Sequence, residues 1–120
     1  MNHKILHFSD SRAFLEEVGE VLYSRESINN LILGVCERLV NDPGSCANPF
    51  FAAIKDENGN IMLSAVMTPP HNMILAGSQD FDKGLFTLIA YIQENPVDLP
   101  GVIGPAHISE KFTKVWEHRT

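Results

Sequence analysis

The chain has 120 residues, 44% of them hydrophobic and 20% charged, which suits one soluble globular domain whose core needs neither disulfide nor metal. Nine basic against fifteen acidic side chains leave a net charge of −6, which disfavours nucleic acid and anionic lipid, since both attract basic patches. Residues 1–9 carry one Lys and no long apolar stretch, so they do not read as a signal peptide, and the most apolar run, at residues 31–36, is too short to span a bilayer. The expected location is the cytoplasm.

Residues 3–8 alternate loosely and are expected to form a first strand. Ser9 or Asp10 then offers a side-chain oxygen to the free amides of a helix whose apolar face is Phe14, Leu15, Val18, Val21 and Leu22. Glu16, Glu17 and Glu20 form its solvated side. A second helix is expected from about Glu26 to Val40, capped by Ser24 or a neighbour, with Ile28, Leu31, Ile32, Val35, Cys36 and Leu39 at helical spacing. Gly34 within it costs about 1 kcal/mol relative to Ala, and a packing requirement is the simplest reason for it. Asp42-Pro43-Gly44 ends this helix.

Two strands follow, at residues 50–55 and 61–68, joined by a hairpin through Asn58-Gly59, which tolerate positive φ. Pro69-Pro70 ends the second of them, and residues 72–76 make the next strand. Ser78 or Asp80 caps a helix reaching Glu94, with Phe81, Leu85, Leu88, Ile89 and Ile92 inward, and Asn95-Pro96 stops it. A short strand at residues 101–104 precedes a last helix, from about His107 to His118, that carries Ile108, Phe112, Val115 and Trp116 on one side. The order β-α-α-β-β-β-α-β-α, with a hairpin and then a β-α-β crossover, predicts an α/β (α+β) fold: a mixed sheet of about five strands with helices on both faces.

That order resembles the GNAT acetyltransferase superfamily. Four segments narrow the likeness to the N-terminal domain of two-domain bacterial GNAT proteins: Asn29-Asn30-Leu31-Ile32-Leu33-Gly34, Met67-Thr68-Pro69-Pro70-His71-Asn72, Leu99-Pro100-Gly101-Val102-Ile103-Gly104-Pro105, and the helix holding Phe112 and Trp116. The resemblance implies that residues 1–120 are a single GNAT-like domain, that a catalytic GNAT domain follows beyond residue 120 in the same chain, and that the parent is an acetyl-CoA-dependent transferase. The last helix stops at Glu117-His118-Arg119-Thr120 without the closing strand pair of a complete GNAT fold, which favours that reading over a stand-alone module.

A working GNAT site needs a Q/R-x-x-G-x-G/A loop, whose glycines let backbone amides approach the pyrophosphate at a helix N-terminus. The corresponding stretch here is Ala76-Gly77-Ser78-Gln79-Asp80-Phe81-Asp82-Lys83-Gly84, with its glycines seven apart and two carboxylates where the anion would sit. The late Tyr that serves as acid in many members is missing from the last helix, since Tyr23 and Tyr91 lie on others. No catalytic and no cofactor-binding residue is therefore assigned to this segment, and acetyl-CoA is expected only of the full-length parent.

The remaining polar residues are weighed on their own. His3 and His7, four apart on a strand, are separated by about 13 Å and do not share a metal. Cys36 falls on a helix's apolar stripe and reads as a small core residue, and Cys46 reads as an exposed loop residue. Asn29 and Asn30 are candidate substrate-facing residues, with local hydrogen bonding near a helix start as the plainer alternative. His71, at a loop-to-strand corner, is the third candidate, against an ordinary surface His. Three functions compete: a non-catalytic domain that shapes the acceptor site or the domain interface of an N-acetyltransferase, a stand-alone ligand-binding or protein-interaction module, and a minimal acyltransferase with an unusual loop. The partners expected are the catalytic domain and, through an apolar patch at Phe112 and Trp116, a second copy of the chain.

Overall fold

The computed structural model describes residues 3–78, 80–95 and 97–119. Gln79, part of the loop compared above, and Pro96, read as a helix stop, lie outside them. The elements run β1 (Lys4–Phe8), α1 (Ser11–Tyr23), α2 (Asn30–Asn41), β2 (Phe50–Lys55), β3 (Ile61–Met67), β4 (Met73–Gly77), α3 (Phe81–Glu94), β5 (Val102–Ile103) and α4 (Ala106–Arg119), with one 3-10 turn at Pro43–Ser45. The fold is mixed α/β, with a five-stranded sheet in the order β1-β2-β3-β4-β5 and four α-helices among the described residues. The first three pairings are antiparallel and β4–β5 is parallel.

The central strands β2, β3 and β4 are almost wholly apolar because both of their faces are covered. Phe50, Ala52, Ile54, Leu63, Ala65, Met67, Met73 and Leu75 pack with Leu85, Leu88, Ile89, Ile92, Ile108 and Phe112 of α3 and α4. Alternate residues Phe51, Ala53, Val66, Ile74 and Ala76 turn to the other face, under Phe14, Val18, Leu22, Ile32, Cys36 and Leu39 of α1 and α2. On that second face the sheet changes texture along its length. One cross-strand row is large, Phe51–Val66–Ile74, and the next is small, Ala53–Ser64–Ala76.

Several local readings need correction. The α1–α2 corner is longer than the periodicity suggests, and α2 starts at Asn30 rather than near Glu26. The corner is wound tight by Ser24 N and Oγ donating to Glu20 O and Val21 O, by the Ile28 and Asn29 amides donating to Arg25 O, and by Asn29 Nδ2 donating to Leu22 O. This turns the helix about its axis, leaving Ile28 and Leu31 exposed and burying Leu33. Val21, expected inward, is exposed. Gly34 is exposed with no atom within 4 Å of where a Cβ would stand, so nothing in the packing requires it. At the hairpin only Gly59 takes positive φ, +85°; Asp56 shapes the loop instead, its Oδ1 accepting from the Asn58 and Asn60 amides at 2.9 Å.

Other expectations hold. Asp10 caps α1 through the Ala13 amide at 2.8 Å. Phe112 lies in the core, with the half-buried Trp116 ring stacked 6.0 Å from it. That places both rings against the chain's own core.

Two glycine substitutions test this packing. A Cβ on Gly104 would stand 2.6 Å from the Leu75 carbonyl oxygen, where β5 meets β4. Gly104→Ala is expected to lower stability by about 1–3 kcal/mol, as overpacking does. Gly34→Ala, on an open helix face, is expected to raise it by about 0.5–1 kcal/mol. Urea denaturation of both variants checks the pair, and an equal effect at the two positions would contradict the packing described.

Candidate functional site

The row of small residues has a consequence directly above it. Beside the buried Ser64 and Ala76, the sheet and the α1–α2 corner leave a gap. A cavity of about 420 Å³ remains, within the size range of small-molecule sites. Its floor is Met62, Ser64, Ala76 and Gly77; its walls are Val21, Leu22, Ser24, Arg25 and Asn29 of the corner, Asp56, Asn60 and Ile61 of the hairpin, and Ser78 and Asp80 of the β4–α3 loop.

The chemistry of that lining is mixed. Arg25 supplies a guanidinium, and among the described residues it makes no ion pair; the one present joins Lys55 to Glu17. Asp56 supplies a fixed negative charge. Its carboxyl is held below the usual range chiefly by the Asn60 amide, whose effect exceeds the opposing desolvation, with the Asn58 amide and the Asn60 side chain adding to it. Asp80 and Asn29 are the N-cap residues of α3 and α2, and both are residue types favoured there for capping, yet neither side chain makes a capping hydrogen bond. Both line the cavity.

The β4–α3 loop is arranged quite differently from a phosphate cradle. The Ser78 amide donates to Met62 O at 3.0 Å, Asp80 to Ser78 Oγ at 3.3 Å, Phe81 to Ser78 O at 3.3 Å and Lys83 to Asp80 O at 3.2 Å. A Cβ on Gly77 would meet Phe81 Cβ at 2.6 Å and Ile108 Cδ1 at 3.0 Å, so the space beside this glycine is filled by the chain itself. Gly84 has a packing role, with α3 lying on Ile54 and Leu63 at 3.4 Å from its absent Cβ.

Of the three residues singled out from sequence, the cavity includes Asn29 alone. Asn29 also makes the local hydrogen bond of its plainer reading, to Leu22 O at 3.0 Å. Asn30 is exposed at the first position of α2 and is not part of the lining. His71 is exposed in the β3–β4 turn, at the end of β4 away from the part that lines the cavity, and is not part of the lining. Arg25, Asp56, Ser64 and Asp80 were missed as one group. A single Ser in the otherwise apolar run Ile61–Met67 is the signal that pointed there.

The other reactive groups lie elsewhere. Tyr23, outside the cavity lining, donates its hydroxyl to Glu37, and that bond above all pushes it up to about 12. Tyr91 packs beside Phe50 and His7. No group of three or more His, Cys, Asp or Glu among the described residues is placed to hold a metal ion. Cys36 is buried, and burial pushes its thiol up to about 12 against the opposing hydrogen bond of Ser11. Cys46 is half-buried rather than exposed. No helix among the described residues is long and apolar enough to cross a membrane. No protein-family model, curated protein or solved structure matches the chain.

The thiols give a direct check. At pH 8 in native conditions, DTNB should titrate Cys46 readily and Cys36 only after unfolding; rapid reaction of both would contradict the burial. Because the folded thiol of Cys36 titrates near 12 rather than its ordinary 9.0, its contribution to stability is complete below about pH 9 and lost as pH rises towards 12. The Cys36→Ala variant should show a flatter decline over that window.

Proposed function

We propose that this chain is a GNAT-like domain that forms the acceptor side of an acetyl-CoA-dependent N-acetyltransferase, without holding acetyl-CoA itself. The element order, the antiparallel β1-β2-β3-β4 succession and the parallel β4–β5 pair, which runs for only two residues, support the GNAT-like reading. The observation that carries the functional part is the β4–α3 loop. Amides that would converge on a pyrophosphate, those of Ser78, Asp80, Phe81 and Lys83, donate to the chain's own acceptors. Asp80 adds a carboxylate at the helix start, which repels a diphosphate and suits a cation. The neighbouring cavity, with Asp56 and Asp80 on its walls, suits an amine. In this reading an acceptor amine rests there, while a second domain supplies acetyl-CoA and the acid–base chemistry.

A stand-alone ligand-binding module keeps the same cavity and differs only in needing no second domain. Calorimetric titration with acetyl-CoA separates these readings from a working acyltransferase. The 120-residue chain is expected to give no micromolar binding, whereas a longer gene product carrying a catalytic domain should bind. Micromolar affinity in the 120-residue chain would overturn the assignment. A reading frame that closes at residue 120 would leave the stand-alone module as the reading that stands.

A further inference from the structure

We infer that the cavity recognises a zwitterion, a free α-amino acid or a molecule with an amino-acid-like head, rather than a simple amine. This rests on the acceptor-side reading above and narrows its ligand class. Charges of opposite sign line the one cavity. Arg25 lies in the α1–α2 corner, while Asp80 and Asp56 belong to the β4–α3 loop and the hairpin. Neither Arg25 nor Asp80 has an ion-pair or side-chain hydrogen-bond partner among the described residues, although each lines the same space. Two exposed charges that line one hollow without meeting each other leave room for a ligand bearing both counter-charges.

The helix ends sharpen the assignment of each wall. At α2, Asn29 sends its Nδ2 back to Leu22 O and does not cap the helix. The Arg25 guanidinium, the cation in the lining, therefore favours an anionic group on that side. At α3 the same dipole is offset by Asp80, and by Asp82 in the first turn. Asp56 has its oxygens engaged within the hairpin, which keeps its charge in place, and Asp80 is the carboxylate left to accept from an ammonium. The ligand's carboxylate thus lies towards Arg25 and its ammonium towards Asp80.

The test is amide-shift NMR on the ¹⁵N-labelled chain, titrated with the free proteinogenic L-amino acids. The best binder is then compared with its carboxamide and N-acetyl forms. Arg25→Gln and Asp80→Asn serve as variants, both at exposed positions whose side chains hold no other group. The expected result is shifts at the cavity residues, with each blocked form weaker by about tenfold or more. Arg25→Gln should weaken the free amino acid by about tenfold while leaving the carboxamide little changed. Asp80→Asn should weaken both of these and spare the N-acetyl form. A carboxamide that binds as well as the free amino acid overturns the zwitterion but leaves the amine-acceptor reading standing. Absence of any cavity shift with amino acid and carboxamide alike overturns both.

Discussion

The feature on which the rest depends is a change of side-chain size between adjacent rows of one sheet face. Phe51, Val66 and Ile74 form a row that fills the space beneath α1 and α2, and Ala53, Ser64 and Ala76 form the next. Cross-strand neighbours pack as units, so a row of small residues lowers the whole surface rather than pitting one spot. The α1–α2 corner cannot follow the surface down. Its backbone is fixed by hydrogen bonds to Glu20, Val21, Leu22 and Arg25, and what remains between corner and sheet is the cavity.

Electrostatics then gives the hollow its character. On an acidic chain, an arginine and carboxylates that line one cavity give it a mixed field rather than a uniformly negative one. The helix starts contribute in the same way. Asp10 caps α1 with its side chain, as the residue type predicts, whereas Asn29 and Asp80 occupy the same position on α2 and α3 and turn to other partners or to the cavity. Capping by such residues is worth about 1 kcal/mol, so two caps left unmade beside one cavity are a local cost that a bound ligand can offset.

Most of the fold was legible in the sequence because the elements are strongly patterned. The strands at 50–55 and 61–67, the inward face of α3 and the Phe112 side of α4 follow directly from runs and periods. The α1–α2 corner was not, because Ile28 and Leu31 continue a helical period that the corner's own local hydrogen bonds then override. The site was legible only in part. Asn29 could be reached from its place near a helix start, but Arg25, Asp56, Ser64 and Asp80 come from four segments that only the folded arrangement brings to one cavity. Read singly, each has an ordinary role: a solvated charge, a turn former, a lone strand serine and a cap. The loop glycines Gly77 and Gly84 show the converse, since their spacing already argued against a phosphate cradle and their contacts supply the reason in close packing.

The central claim is that the cavity beside the buried Ala76 leaves room for added side-chain volume, where a closed core would not. Replacing Ala76 with Leu tests it, because the new side chain would extend into that space from a strand position that otherwise stays fixed. Equilibrium urea denaturation of Ala76→Leu is predicted to give a stability within about 0.5 kcal/mol of the parent chain, the added methylenes entering a vacant hollow. A loss of about 1–3 kcal/mol, the usual cost of overpacking, would show that the corner already rests on the sheet and would contradict the account.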